Sequence, residues 1–304
     1  MRHARSIIAT IGWLTVASTP AGAQGLEGTL QKIKDSGTFT IGFRESSLPL
    51  SYLDDKQQPV GFSIELCRHV VEQVKARLDL PDLKVQYNPV TSATRIPLVA
   101  NGTVDIECGS TANMLARQKQ VAFSFTFFVP QFKWIARTDT GINGAADLKG
   151  KAVAVTAGTN TAQFVAKLNN EQNLGLRIMS GKDHAESFLL LTSDRVAAFS
   201  EDDILLAGLA ATSQTPTGFR LISIDGMLAD PYALMMRRED PQFKAAVDAA
   251  LREVFASGEI ERIYNKWFMQ PIPPRNVVLN FPMGDQLKRV IAKPSDSGDP
   301  KDYK

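Results

Sequence analysis

The sequence predicts an α/β protein of two lobes, each a mostly parallel sheet flanked by helices, joined by a two-strand hinge. Three observations predict it. The chain has 304 residues, 44% hydrophobic and 22% charged, an ordinary globular composition long enough for two domains. Short apolar runs alternate with stretches of helical periodicity, the pattern of βαβ units. After a long extended stretch, "AFSFTFFVPQFKWIART", that alternation starts again near residue 145.

Residues 1–23 read as a cleaved export signal. "MRHAR" is basic, "SIIATIGWLTVAS" is apolar, and Ala21-Gly22-Ala23 supplies an A-x-A cleavage site. The apolar run is too short to cross a bilayer well, and Pro20 and Gly22 break it. Formal net charge is +2, and removal of Arg2 and Arg5 brings it to zero. Without a basic excess, no nucleic-acid partner is expected.

The first lobe opens at residue 24 and runs to 136. "GTLQKIKDSGTFTIGF" reads as a helix, a stop at Gly37 and a strand. Residues 61–78 place apolar side chains at 62, 66, 70, 71, 74 and 78, one face of a helix. "LKVQYNPV" is a strand. "TSATRIPLVANG" is a helix that starts at a hydroxyl and stops at Asn101-Gly102. "TVDIEC" is a strand and "NMLARQKQV" a short helix.

The second lobe, 137–235, repeats the pattern. "AADLKG", "NTAQFVAKLNNE", "DHAESFLLLTSDR" and "ILLAGLAAT" read as helices. "KAVAVTAG", "LRIMSG", "VAAFSED", "FRLISI" and "YALMMRR" read as strands. Helices over 236–275 return to the first lobe, and Pro271, Pro273 and Pro274 end them. The crossings between lobes are expected near 134–139 and 232–238. The tail, 276–304, is weakly patterned: "DQLKRVIA" fits one more short helix, and the closing "KPSDSGDPKDYK" is expected to fray. Cys67 and Cys108 read as buried core thiols. Export permits a bridge between them, but free thiols are the preferred reading.

In open α/β sheets, ligands bind beyond the carboxyl ends of the strands. Residues at those ends therefore carry the functional expectation. The first lobe offers Arg44, Ser92, Arg95, Ser110 and, after a short turn, Arg117. The second offers Thr159, Asn160, Thr161, His184 and Asp202. Guanidiniums beside hydroxyls suit carboxylates. A carboxylate suits an ammonium. A zwitterion with an extra acidic group satisfies the whole set. Metal-ligand spacing, a P-loop, a dinucleotide fingerprint and a nucleophile elbow are all missing from the sequence. No cofactor is expected.

The segments "FRESS", "TSATRIP", "VDIECGST", "RQKQVAFS", "KDHAESF", "DDILLAG" and "KWFMQPIPPRN" resemble the periplasmic glutamate/aspartate-binding proteins of ABC importers, solute-binding family 3. The resemblance runs over about residues 29–280. It implies the type II periplasmic-binding-protein fold and a monomeric, exported, non-enzymatic protein. Such a protein passes glutamate or aspartate to a membrane-embedded ABC permease.

The resemblance also assigns roles. Arg117, helped by Ser110, meets the α-carboxylate, and Asp202 takes the α-ammonium. Arg44, Ser92, Arg95 and His184 surround the distal carboxylate, and the turn at 158–161 faces the cleft. Ala112 stands where a hydroxyl is usual, so only its backbone can contribute. Glu201 stands beside Asp202 where an apolar residue is usual, and strand alternation points it away from the ligand. The alternative is a dehydratase-like enzyme on the same fold acting on a cyclic carboxylic acid, with Glu201, Asp202 and His184 as its acid–base candidates.

Overall fold

The computed structural model describes residues 25–224 and 230–304. The export-signal reading falls on residues 1–23, outside the described residues. Helix α1, Gly28–Ser36, buries Leu30 and Ile33 and stops at Gly37, whose φ of 61° lets its N–H reach the Ile33 carbonyl. Strand β1, Thr38–Phe43, follows. A small antiparallel ribbon comes next: β2 Ser46–Ser47, β3 Ser51–Leu53 and β4 Pro59–Val60. Helix α2, Phe62–Leu78, buries the expected stripe of Phe62, Leu66, Val70, Val71, Val74 and Leu78. Strand β5, Lys84–Pro89, then helix α3, Arg95–Ala100, strand β6, Ile106–Glu107, and strand β7, Val121–Phe128, complete the first run.

The second run is β8 Phe132–Arg137, β9 Ala152–Thr156, α4 Asn160–Glu171, β10 Arg177–Gly181, α5 His184–Thr192, β11 Ala198–Asp202, α6 Asp203–Ala211 and β12 Phe219–Ser223. Strand β13, Tyr232–Arg237, and helices α7, Pro241–Ala256, and α8, Glu259–Tyr264, return to the first sheet. Helix α9, Asp285–Ala292, lies in the tail.

The two five-stranded sheets run β5-β1-β6-β13-β7 and β10-β9-β11-β8-β12. In each, three strands are parallel and the strand beyond them reverses. The parallel register sets the site. Phe43 stands opposite Pro89 and Gly42 opposite Glu107, so β1, β5 and β6 end at one level. Ordinary apolar cores hold each sheet: Phe39, Ile41, Phe62 and Phe243 in the first lobe, Trp134, Val153 and Val165 in the second.

Three expectations need correction. The chain leaves the first sheet after Phe128 and has returned to it by Tyr232, before the expected crossings, because β8 pairs wholly within the second sheet and β13 wholly within the first. Each crossing contains a proline, Pro130 or Pro231, which lacks the N–H that a ladder needs.

Helix α9 matches the reading of "DQLKRVIA", but the closing segment, expected to fray, packs against the first lobe. Helix α9 buries Leu287, Val290 and Ile291, an i, i+3, i+4 stripe, and Tyr303 is buried near the end.

The third correction concerns the cysteines. Cys67 and Cys108 form a disulfide, with Cα atoms 6.3 Å apart. Helical periodicity shows that Cys67 faces the core, but not which strand end it meets. Across a separation of 41 residues, the bridge stabilises by about 3–4 kcal/mol. Replacing both cysteines by alanine should lower the melting midpoint by roughly 10 °C. An unchanged midpoint in calorimetric scans would contradict that contribution.

Candidate functional site

The site is built where the strands of both sheets end. Arg44 directly follows β1 and is 1% exposed. Its backbone N–H donates to Ser51 Oγ at 2.9 Å, which turns the chain into the ribbon. Its Nη2 lies 3.4 Å from His184 Nε2 in the other lobe. Its Nη1 has no hydrogen-bond partner among the described residues. Asp54, a possible surface partner, instead accepts the Lys56 and Gln58 amides.

Arg95 opens α3 and is equally buried. Its Nη1 donates to the Ser110 carbonyl at 3.2 Å and to Thr111 Oγ1 at 2.6 Å. Its Nε and the Ser92 hydroxyl lack partners among the described residues. Arg117 sits in the 3-10 turn Arg117–Lys119 and is also buried. Its Nη1 donates to the Ala112 carbonyl at 2.9 Å, and its Nη2 to the Gly158 carbonyl of the second lobe at 3.4 Å. The lobes approach closely here. A Cβ on Gly158, whose φ is +79°, would stand 2.7 Å from Ala93 backbone atoms.

The remaining candidates divide. His184 and Asp202 join the arginines at the cleft. Ser110 Oγ donates to Ser47 Oγ at 3.3 Å. Thr159 Oγ1 caps α4 by accepting the Ala162 N–H at 3.0 Å, and Asn160 Nδ2 donates to Asp230 at 2.9 Å. The Thr159 and Asn160 side chains thus work within their own lobe or its crossing segment. Asp203 Oδ1 accepts the Gln131 and Ile204 N–H groups, which ties α6 to the first crossing.

Glu201 corrects an expectation. Strand alternation does separate it from Asp202, but both faces of the β11 end belong to the site. Glu201 is 2% exposed. It accepts the Thr161 hydroxyl at 2.9 Å and lies 3.4 Å from His184 Nδ1. Asp202 points the other way and accepts the Tyr232 hydroxyl, while its Oδ1 is unpartnered among the described residues.

Sequence reasoning also passed over Glu107, which accepts the Thr111 hydroxyl behind Arg95, and Tyr232, which follows Pro231 at the second crossing. Glu107 is the last residue of β6, so the strand-end rule applied to it as well.

Charge follows from burial. Burial, and then Arg95, lowers the Arg44 guanidinium to about 10. The same two causes lower Arg117 to about 9. Both are cations at neutral pH. Burial pushes Asp202 well above the ordinary carboxylate range, and Glu201 adds to the rise.

Burial lowers His184, with Arg44 and Arg95 against its cation and Glu201 in favour of it. An imidazole kept neutral in this way cannot supply the positive charge that would lower Glu201. Geometry decides for the neutral ring: a guanidinium faces Nε2, so Nε2 must accept. Nδ1 then carries the proton, toward Thr156 Oγ1 at 3.1 Å or Glu201. That tautomer is assigned from the hydrogen-bond network. The first lobe thus presents three guanidiniums with Glu107 behind them, and the second presents an imidazole and carboxylates.

The profile of bacterial extracellular solute-binding proteins, family 3, matches residues 39–270. The chain belongs to this family. A curated relative, the L-glutamate/L-aspartate-binding protein of Pseudomonas aeruginosa, is 46% identical over 97% of this chain and 98% of its own. The glutamate/aspartate import solute-binding protein of Escherichia coli is 42% identical over 97% of each chain.

Solved structures repeat the family-3 architecture. The Neisseria gonorrhoeae solute receptor for L-cysteine matches with a TM-score of 0.70 at 22% identity, covering 79% of this chain and 93% of its own. An ancestral amino acid-binding protein described as a precursor of cyclohexadienyl dehydratase matches at 0.68 and 24% identity, covering 79% of this chain and 99% of its own. At that identity the likeness is one of fold, and it carries no argument for catalysis by this solute-binding protein.

Proposed function

We propose that this family-3 solute-binding protein captures glutamate or aspartate between its lobes outside the cytoplasm, in the periplasm, and delivers it unchanged to a membrane-embedded ABC permease. One observation carries the reading. Three buried arginines, Arg44, Arg95 and Arg117, direct all their hydrogen bonds among the described residues to neutral partners. Buried guanidiniums are costly without an anion, and two carboxylates on one ligand answer that cost. Names of the curated relatives, glutamate/aspartate-binding proteins of import systems, support the same ligand class.

In this reading Arg44, Arg95, Ser92 and His184 surround the distal carboxylate. Arg117 and Ser110 meet the α-carboxylate, with the Ala112 backbone beside them. Asp202 meets the ammonium, and the turn carrying Thr159, Asn160 and Thr161 closes over the ligand from the second lobe. The crossings marked by Pro130 and Pro231 are the pivots of a hinge closure. Glutamate and aspartate should bind the ligand-stripped protein in calorimetric titrations and compact it in solution scattering. Arginine and alanine should do neither. Strong binding of a cationic amino acid, or glutamate binding with no change in radius of gyration, would count against the reading.

A further inference from the structure

The C-terminal segment lies beyond the family match, which ends at residue 270, and the proposed function makes no use of it. After α9 the chain runs back over the loop that carries Ser110, Thr111 and Arg117. The Ser295 carbonyl accepts the Thr126 N–H at 2.8 Å. Asn113 Nδ2 donates to the Asp296 carbonyl at 3.0 Å and the Ser297 carbonyl at 3.2 Å. Gln118 Nε2 donates to the same Asp296 carbonyl at 3.0 Å and to Asn113 Oδ1 at 2.9 Å.

Asn113 and Gln118 therefore bracket Arg117, joined to each other and to one point on the tail. Asn113 is fully buried. The tail lies close against the loop at Gly298, where a Cβ would stand 2.8 Å from the Leu115 amide nitrogen. Two side chains of the tail hold it in place. Tyr303 OH donates to the Ser297 carbonyl at 2.8 Å and accepts from Thr126 Oγ1 at 2.9 Å. The Asp296 carboxylate meets Lys244 Nζ at 2.8 Å.

We propose that residues 293–304 form a strap that fixes the loop over 112–118, with Asn113 and Gln118 as positioning residues for Arg117. The inference rests on the reading of Arg117 given above. The short 3-10 turn that carries Arg117 supplies little rigidity of its own. Side-chain donors anchored on the strap hold it from behind. On the opposite side the loop is held by the Asn113 N–H to the Pro231 carbonyl at 2.7 Å. A guanidinium aimed at a carboxylate is sensitive to displacement, since misplacement by about 1 Å can cost on the order of a hundredfold.

The test is a double-mutant cycle on the full-length chain. Asn113→Ala with Gln118→Ala should weaken glutamate about 5- to 20-fold by calorimetry when Arg117 is present. In an Arg117→Ala background, titrated to millimolar glutamate, the same pair should change affinity less than about twofold, because the group it positions is gone. Gln118→Ala alone, at a half-buried site, should show the same pattern on a smaller scale and serves if the pair fails to fold. Equal losses in both backgrounds would mean general loosening and overturn the strap. So would full affinity in the Asn113→Ala, Gln118→Ala protein. If Arg117→Ala itself left affinity unchanged, the proposed role of Arg117 would fall, and the strap with it.

Discussion

Arg44→Ala is expected to weaken glutamate binding by about 2–5 kcal/mol, the cost of leaving one member of a buried charge pair unmatched. That corresponds to roughly 30- to 4,000-fold in affinity. Arg44 ends β1 with its guanidinium buried, one amino group toward His184 and the other without a partner among the described residues. In the proposed reading a distal carboxylate completes it. Glutamine, whose amide carries no full charge, should lose less. The unliganded fold should lose little, because burial and Arg95 already disfavour the Arg44 cation. Calorimetry against both ligands, with a melting curve for the variant, checks each part. Equal losses for glutamate and glutamine would show that Arg44 does not read the side chain.

Asp202→Asn should produce the complementary pattern. The carboxylate is fully enclosed, accepts the Tyr232 hydroxyl, and keeps Oδ1 without a partner among the described residues. An ammonium brought there finds a full charge only if Asp202 is ionised, so the amide should cost about 2–5 kcal/mol for every α-amino acid. Glutarate, which has both carboxylates but no ammonium, should bind the variant no worse than the parent.

The sign of the proton linkage follows. Burial and then Glu201 raise Asp202 without ligand, so it is protonated at a pH above the usual carboxylate range. A bound ammonium lowers it again and drives the proton off. Glutamate binding should therefore release protons in the window between the usual carboxylate value and the raised one. Titrations in buffers of different ionisation heat would report the release, and Asp202→Asn should abolish it. A release that persisted in the variant would place the titrating group elsewhere.

The fold, and the three arginines of the candidate site, were legible in the sequence through local signals. The restart of the βαβ pattern located the second sheet, and the strand-end rule singled out Arg44, Arg95 and Arg117. What stayed hidden depends on distant parts of the chain. Periodicity places Cys67 on the buried face of α2, but only the tertiary placement of α2 over the sheet brings it to Cys108, just past the end of β6. Alternation correctly set Glu201 opposite Asp202. That the first turns of α4 and α5 would bring Thr161 and His184 to Glu201 is a matter of helix placement. The crossings lie earlier than the insertion of the second lobe alone suggests, beside Pro130 and Pro231, which cannot donate to a ladder. The order of the closing segment has no local signal, because its anchors, Tyr303 and the 295–297 carbonyls, meet partners 170 or more residues away.

The most direct test of the whole account is a crystal structure of the protein grown with glutamate. The account predicts one glutamate between the lobes, with its distal carboxylate between Arg44 and Arg95, its α-carboxylate on Arg117 and its ammonium against Asp202. Glutamate bound in the opposite orientation, bound outside the cleft, or converted to another compound would contradict it.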